Sequence, residues 1–166
     1  MITKDQLAAA MIRECDICLH LFSKLPLGAV DYRPSEKQRS MLDLLRYLTI
    51  SGVAGMDCMA HADWKRFGSF SERAKEMPFE GFPAAMSTQK AEIEAFFAGV
   101  SEEALEAQEA PMPGGANVPL GVAILNGPFK WLAAYKMQLF LYAKGAGATE
   151  LGTSNAWRGA DMPPKA

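Results

Sequence analysis

Two short polar signatures constrain this chain more than any other feature. Thr3 with Gln6, and Ser40 with Asp43, have the spacing by which a helix N-terminus satisfies its own orphan N–H groups. Each is followed by apolar residues at helical intervals: Leu7, Met11, Cys15, Cys18, Leu19 and Phe22 after the first, and Met41, Leu44, Leu45, Leu48, Met56 and Met59 after the second. The spacing predicts helix A over about 4–24, closed by Pro26 and Gly28, and helix B over about 41–59. Helix C follows over about 85–108, with Ile93, Phe96, Phe97 and Val100 as its buried stripe. A break at Gly99 lets Ser101 cap a last segment opened by Glu102 and Glu103. Helix D starts at Pro128, a favoured first-turn residue, runs to Lys144 and is stopped by Gly145 and Gly147. Gly52 and Gly55 weaken helix B, which predicts a close approach by a neighbouring helix.

No stretch shows strand alternation, so four helices define an all-α four-helix bundle. Their connections are longer than tight helical hairpins need. Tyr32-Arg33-Pro34 reads as extended chain. The connection over 61–84 carries Trp64, Phe67, Phe70, Phe79 and Phe82, rings suited to sealing one end of the core, with one helical turn over Arg73–Met77. A Pro/Gly-rich connection over 110–127 holds another turn within Val118–Leu125.

The chain has 166 residues, 49% of them apolar and 22% charged, which fits a single domain over 1–166 with a real core. The bundle occupies about 4–145. The tail over 146–166 has no periodicity, and only Trp157 looks like an anchor. A net charge of −2 provides no field for gathering phosphates, so no nucleic-acid partner is expected. No membrane partner is expected either: the longest uncharged run, Ala110 to Phe129, is interrupted by Pro111, Pro113, Pro119 and Pro128. The N-terminal residues lack the pattern of a secretory signal, and three cysteines cannot all pair within one chain, so reduced thiols in a cytoplasm are expected.

Local motifs for chemistry are sparse. Cys15-x-x-Cys18 and Cys58-x-x-His61 together have the donors of a zinc site. The helical offset between them opposes it, and the mid-helix position of Cys15 and Cys18 opposes a redox role. Buried cysteines acting as small hydrophobes are the simpler expectation. His20 and His61 stand alone. Gly114-Gly115 is not followed by the Lys-Ser/Thr of a phosphate loop. Glu92, Glu94, Glu102, Glu103, Glu106 and Glu109 read as a solvated face. Lys130, Lys136 and Lys144 are matched by nearby acids and form no basic stripe.

Two segments carry a resemblance. Asp31-Tyr32-Arg33-Pro34 and the run Gln38 to Leu48 resemble the approach to the second helix in the DinB/YfiT-like superfamily. Trp131 to Leu139, continuing through Tyr142-Ala143-Lys144-Gly145, resembles that family's last core helix. The likeness covers roughly residues 1–145. It implies an up-down-down-up bundle, with A and B antiparallel, B and C parallel, and C and D antiparallel. It also implies a homodimer and, in many members, a divalent metal held by three histidines, one on the second helix and two on the last. Some members transfer or isomerise small molecules with a low-molecular-weight thiol.

At the three ligand positions this chain has Tyr47, Trp131 and Tyr135. Indole offers no lone pair to a metal, and a phenol ligates only as phenolate, from a pKa near ~10. The resemblance therefore implies that the family's metal site is absent, and no metal, cofactor or catalytic residue is assigned. Trp131 and Tyr135 share a helix face, and the bundle places Tyr47 opposite. These rings either wall a pocket for a small apolar molecule or fill the space where metal and water would sit. A pocket of Tyr47, Trp131 and Tyr135 for a small-molecule ligand is the first expectation. A metal- or thiol-dependent transferase or hydrolase, and a non-catalytic structural dimer, stand as alternatives.

Overall fold

The computed structural model describes residues 2–162, so the last four residues of the tail lie outside the described residues. Its principal helices are α1 (Lys4–Phe22), α2 (Met41–Leu48), α3 (Ser51–Ala60), α4 (Phe67–Lys75), α5 (Phe82–Gly99), α6 (Glu102–Ala107), α7 (Leu120–Ile124), α8 (Lys130–Gly145) and α9 (Thr153–Arg158). Both capping boxes form: Thr3 and Gln6 exchange hydrogen bonds of 3.2 and 3.1 Å, Ser40 and Asp43 bonds of 3.1 and 3.3 Å. Ser101 Oγ accepts from Ala104 N at 3.0 Å and opens α6 after the break at Gly99.

Cross-bundle pairs give the helix directions. Lys4 reaches Val100, Asp16 reaches Lys90 and Phe22 packs on Phe82, so α1 and α5 are antiparallel. Glu14 meets Lys136, and Lys4 and Leu7 share a groove with Val122 and Leu125, so α1 and α8 are parallel. Tyr47 meets Tyr135 while Gly55 meets Pro128, which makes α2–α3 antiparallel to α8. Leu48 lies by Gln89 and Gly52 by Ile93, so α2–α3 and α5 are parallel. The result is an up-down-down-up bundle around a core that includes Met11, Leu21, Leu44, Leu48, Met56, Met86, Leu132 and Leu139.

Three features depart from the sequence expectations. Helix B is two helices, broken at Thr49–Ile50. Gln89, fully buried on α5, spans the break: its Oε1 accepts from Gly52 N at 2.9 Å, and its Nε2 donates to Leu48 O at 2.8 Å. Helix D begins not at Pro128 but at Leu120, and runs through a π segment over Leu125–Phe129 that holds Pro128. Proline lacks an N–H and clashes with the preceding turn, and the wider π turn accommodates both defects. The connection over 110–127 contains a hairpin, β1 (Glu109–Pro111) against antiparallel β2 (Asn117–Pro119), with Ala110 opposite Val118. Strands of three residues are too short for alternation to show.

The tail is held by buried Ala148, Leu151 and Ala156, whereas Trp157, the expected anchor, is 61% exposed. Its ring instead covers Lys136, with Nζ 4.8 Å from the ring centre. Among the described residues no helix is long and apolar enough to cross a membrane.

Candidate functional site

Antiparallel packing of α2 on α8 brings Tyr47 and Tyr135 together edge to face, with ring centres 4.7 Å apart and planes at 63°. One turn earlier on α8, Trp131 lies against α3. A Cβ built on Gly55 would stand 2.6 Å from Trp131 Cζ3 and 2.8 Å from Pro128 Cγ, so only glycine lets the indole settle there. Trp64, from the turn that follows α3, leans toward Trp131 at 6.3 Å between ring centres. Phe67, at the start of α4, stands 6.4 Å from Tyr47.

Tyr47, Trp64, Phe67 and Trp131 thereby wall one side of an open cleft of about 620 Å³. The hairpin segment Pro111–Gly115 forms the other side. Gly114 and Gly115 turn that segment with φ of +102° and +93°, backbone that other residues adopt only with strain. Of the three residues singled out in the sequence, Tyr47 and Trp131 line the cleft. Tyr135 backs Tyr47 from behind the wall.

The site has one charge of note. The Arg39 guanidinium stands over the rings of Tyr47 and Tyr135, 4.6 and 5.2 Å from their centres. Burial, reinforced by Tyr135, nevertheless pushes the Tyr47 phenol up to about 12, and the opposing pull of Arg39 does not prevail. Tyr47 is therefore a neutral hydrogen-bonding phenol across the physiological range. Trp131 and Trp64 contribute apolar faces and indole N–H donors.

The cysteines and histidines do not converge. Cys15, Cys18 and Cys58 are free and buried. Burial pushes the Cys15 thiol up to about 12 and raises Cys18 and Cys58 as well. His61 is exposed and turns to Asp57, whose carboxylate is also gripped by Arg66 at 2.6 and 3.0 Å. His20 meets Asn155 of α9 at 3.0 Å, and burial lowers its pKa. Among the described residues no three His, Cys, Asp or Glu side chains form a metal-binding group.

Several contributors escaped the sequence reading. The aromatic connection divides its work: Phe79 and Phe82 seal the core against Phe22, at 5.2 and 5.0 Å, while Trp64 and Phe67 face the cleft. Nothing in their spacing separates the two pairs. Met112 and the glycine turn belonged to a segment legible only as a connection. Arg39 is visible in the sequence as a cation directly before the cap residue Ser40 and two turns ahead of Tyr47.

A helical bundle of this topology, with its long middle connection, has a DinB-like fold. It is similar to a DinB-like protein, YjoA, from Bacillus subtilis, with a TM-score of 0.69 and 18% sequence identity over 89% of this chain and 96% of that one. No family model and no curated protein sequence matches the chain.

Proposed function

We propose that this chain is a DinB-like protein without the three-histidine metal centre, and that it binds a small apolar molecule in the cleft beside Tyr47 and Trp131. The observation that carries this reading is the cleft itself. About 620 Å³, walled by four aromatic rings, is the size and character of a small-molecule site. It adjoins the positions that the resemblance assigns to metal ligands.

The donor set does not fit a divalent ion. Trp131 has no lone pair to give, Tyr47 is held neutral, and the Arg39 cation stacks on both tyrosines, where it would repel a second positive charge. The thiol-dependent alternative draws no support from Cys15, Cys18 or Cys58, all buried and raised in pKa. Three free thiols suit a reducing cytoplasm.

The test is titration with a neutral apolar fluorophore, N-phenyl-1-naphthylamine. Saturable binding near one per chain is expected. Tyr47→Ala or Trp131→Ala should abolish it while leaving the helical circular dichroism and cooperative unfolding in place. Absence of saturable binding, or binding indifferent to both substitutions, contradicts the reading.

A further inference from the structure

We propose that the chain has a second ligand site, a groove between the start of α1, α6 and α7 that takes a short apolar chain ending in an ammonium group. The groove encloses about 390 Å³ and shares no lining residue with the aromatic cleft. Leu7 and Leu105, both buried, line it together with the exposed Ile2, Val122 and Leu125. Three of the eight large apolar side chains exposed among the described residues thus meet in this one place, whereas the cleft has only Trp64. Exposed apolar side chains gathered in a concavity, instead of standing singly, mark a binding site, and the volume suits a small molecule. The walls are fixed by packing: a Cβ built on Gly121 of α7 would stand 3.2 Å from Leu105 O of α6.

The charges on the lining select the head group. Glu102 and Glu106 both line the groove and stand four residues apart on α6, so their carboxylates edge the same wall. Among the described residues Lys4 is the one cation of the lining, and its ammonium is already engaged. Its Nζ donates to the carbonyl of Val100, the residue that ends α5, at 2.9 Å. Glu102 Oε1 accepts from Lys4 N at 3.0 Å, which ties the start of α1 to α6 and leaves the second oxygen of Glu102 to a ligand. Glu106 joins no ion pair among the described residues. Glu103 and Glu109, on and just after α6, add charge of the same sign. An anionic amphiphile in this groove would set its head against carboxylates, whereas a cationic one meets complementary charge.

The test titrates octylamine, octan-1-ol and octanoate, one apolar chain with three head groups, calorimetrically into the full chain near neutral pH. Octylamine should bind about fivefold more tightly than octanol at low salt, the gain expected of a partly exposed ion pair, and octanoate should bind most weakly. Glu106→Gln should reduce the advantage of the amine and leave octanol binding unchanged. Val122→Arg, at an exposed position, should abolish binding of both, while Tyr47→Ala in the cleft should leave both intact. Octanoate binding as tightly as octylamine overturns the ammonium assignment. So does an amine advantage undiminished by Glu106→Gln or by about 0.5 M NaCl. Octylamine binding that survives Val122→Arg, or that is lost in Tyr47→Ala, places the molecule elsewhere and overturns the groove. Failure of all three ligands to bind the native chain overturns it too, and leaves the cleft reading standing. Should Val122→Arg not fold, Ile2→Arg, outside any helix, should weaken octylamine at least roughly threefold by the same repulsion, and an unchanged affinity overturns the groove.

Discussion

Lys136 is the residue whose role is least visible in the sequence. It sits on α8 with ordinary helical neighbours, and the sequence predicts only that acids lie near it, yet it is 1% exposed. Its Nζ lies 2.9 Å from Glu14 Oε2 on α1, although it is not directed along a hydrogen-bond axis to that oxygen. Trp157 closes the pocket from outside. A buried pair of this kind is a weak source of net stability, but either partner left alone is costly. Lys136→Met is therefore expected to destabilise the fold by about 3 kcal/mol or more. Adding Glu14→Leu should restore most of that loss, since two well-packed apolar side chains remove the desolvation cost. Urea unfolding of the two single variants and the double variant checks this. Additive losses would mean that the two groups are not coupled. The same limit on legibility applies to Tyr47. Its helical position is plain from the spacing, whereas the further rise of its phenol pKa comes from burial, reinforced by Tyr135, which periodicity does not reveal.

The element most consequential for the site is the broken second helix. Local signals fixed its start, because Ser40 and Asp43 are three residues apart and act on each other. They could not fix its break, because the group that stabilises the break comes from α5. Gln89 satisfies Leu48 O and Gly52 N, two backbone groups that a continuous helix would have bonded within itself. Gln89→Ala should orphan Gly52 N, leave Leu48 O with only the long 3.5 Å bond from Ser51 Oγ, and cost about 3 kcal/mol. It should also weaken binding of the neutral probe, since Tyr47 lies within the last turn before the break. A loss under ~0.5 kcal/mol on chemical denaturation would show that the backbone finds other partners. The close helix approach that the glycines of α3 predict is present. Gly52 admits Leu132 and Gly55 admits Trp131, and the second contact sets one wall of the cleft. Pro128 lies within a π segment and does not start the helix, and in sequence alone a proline there looks the same as a proline at the first turn.

At the scale of the whole molecule, the helix order and directions were legible, since four capped or terminated amphipathic stretches admit few bundles and the family likeness selected among them. The decorations outside the bundle are less so: the hairpin and α9 have too few residues for a period to emerge, and α4 overlaps the single turn expected over Arg73–Met77 but starts earlier. Those decorations supply Trp64's neighbour Phe67, the Pro111–Gly115 wall and the cover on Lys136. The homodimer expected from the resemblance predicts sedimentation at twice the 18.1 kDa of the chain, and a monomer at micromolar concentration would remove it. On the proposed function, an aromatic cleft, and not a metal, gives this molecule its binding capacity. Its most direct test is titration of N-phenyl-1-naphthylamine into protein stripped with EDTA and into the same protein resupplied with zinc or nickel. Superimposable isotherms near one probe per chain are expected, with no stoichiometric metal after dialysis. Binding that appears only with metal, at about one ion per chain, would contradict it.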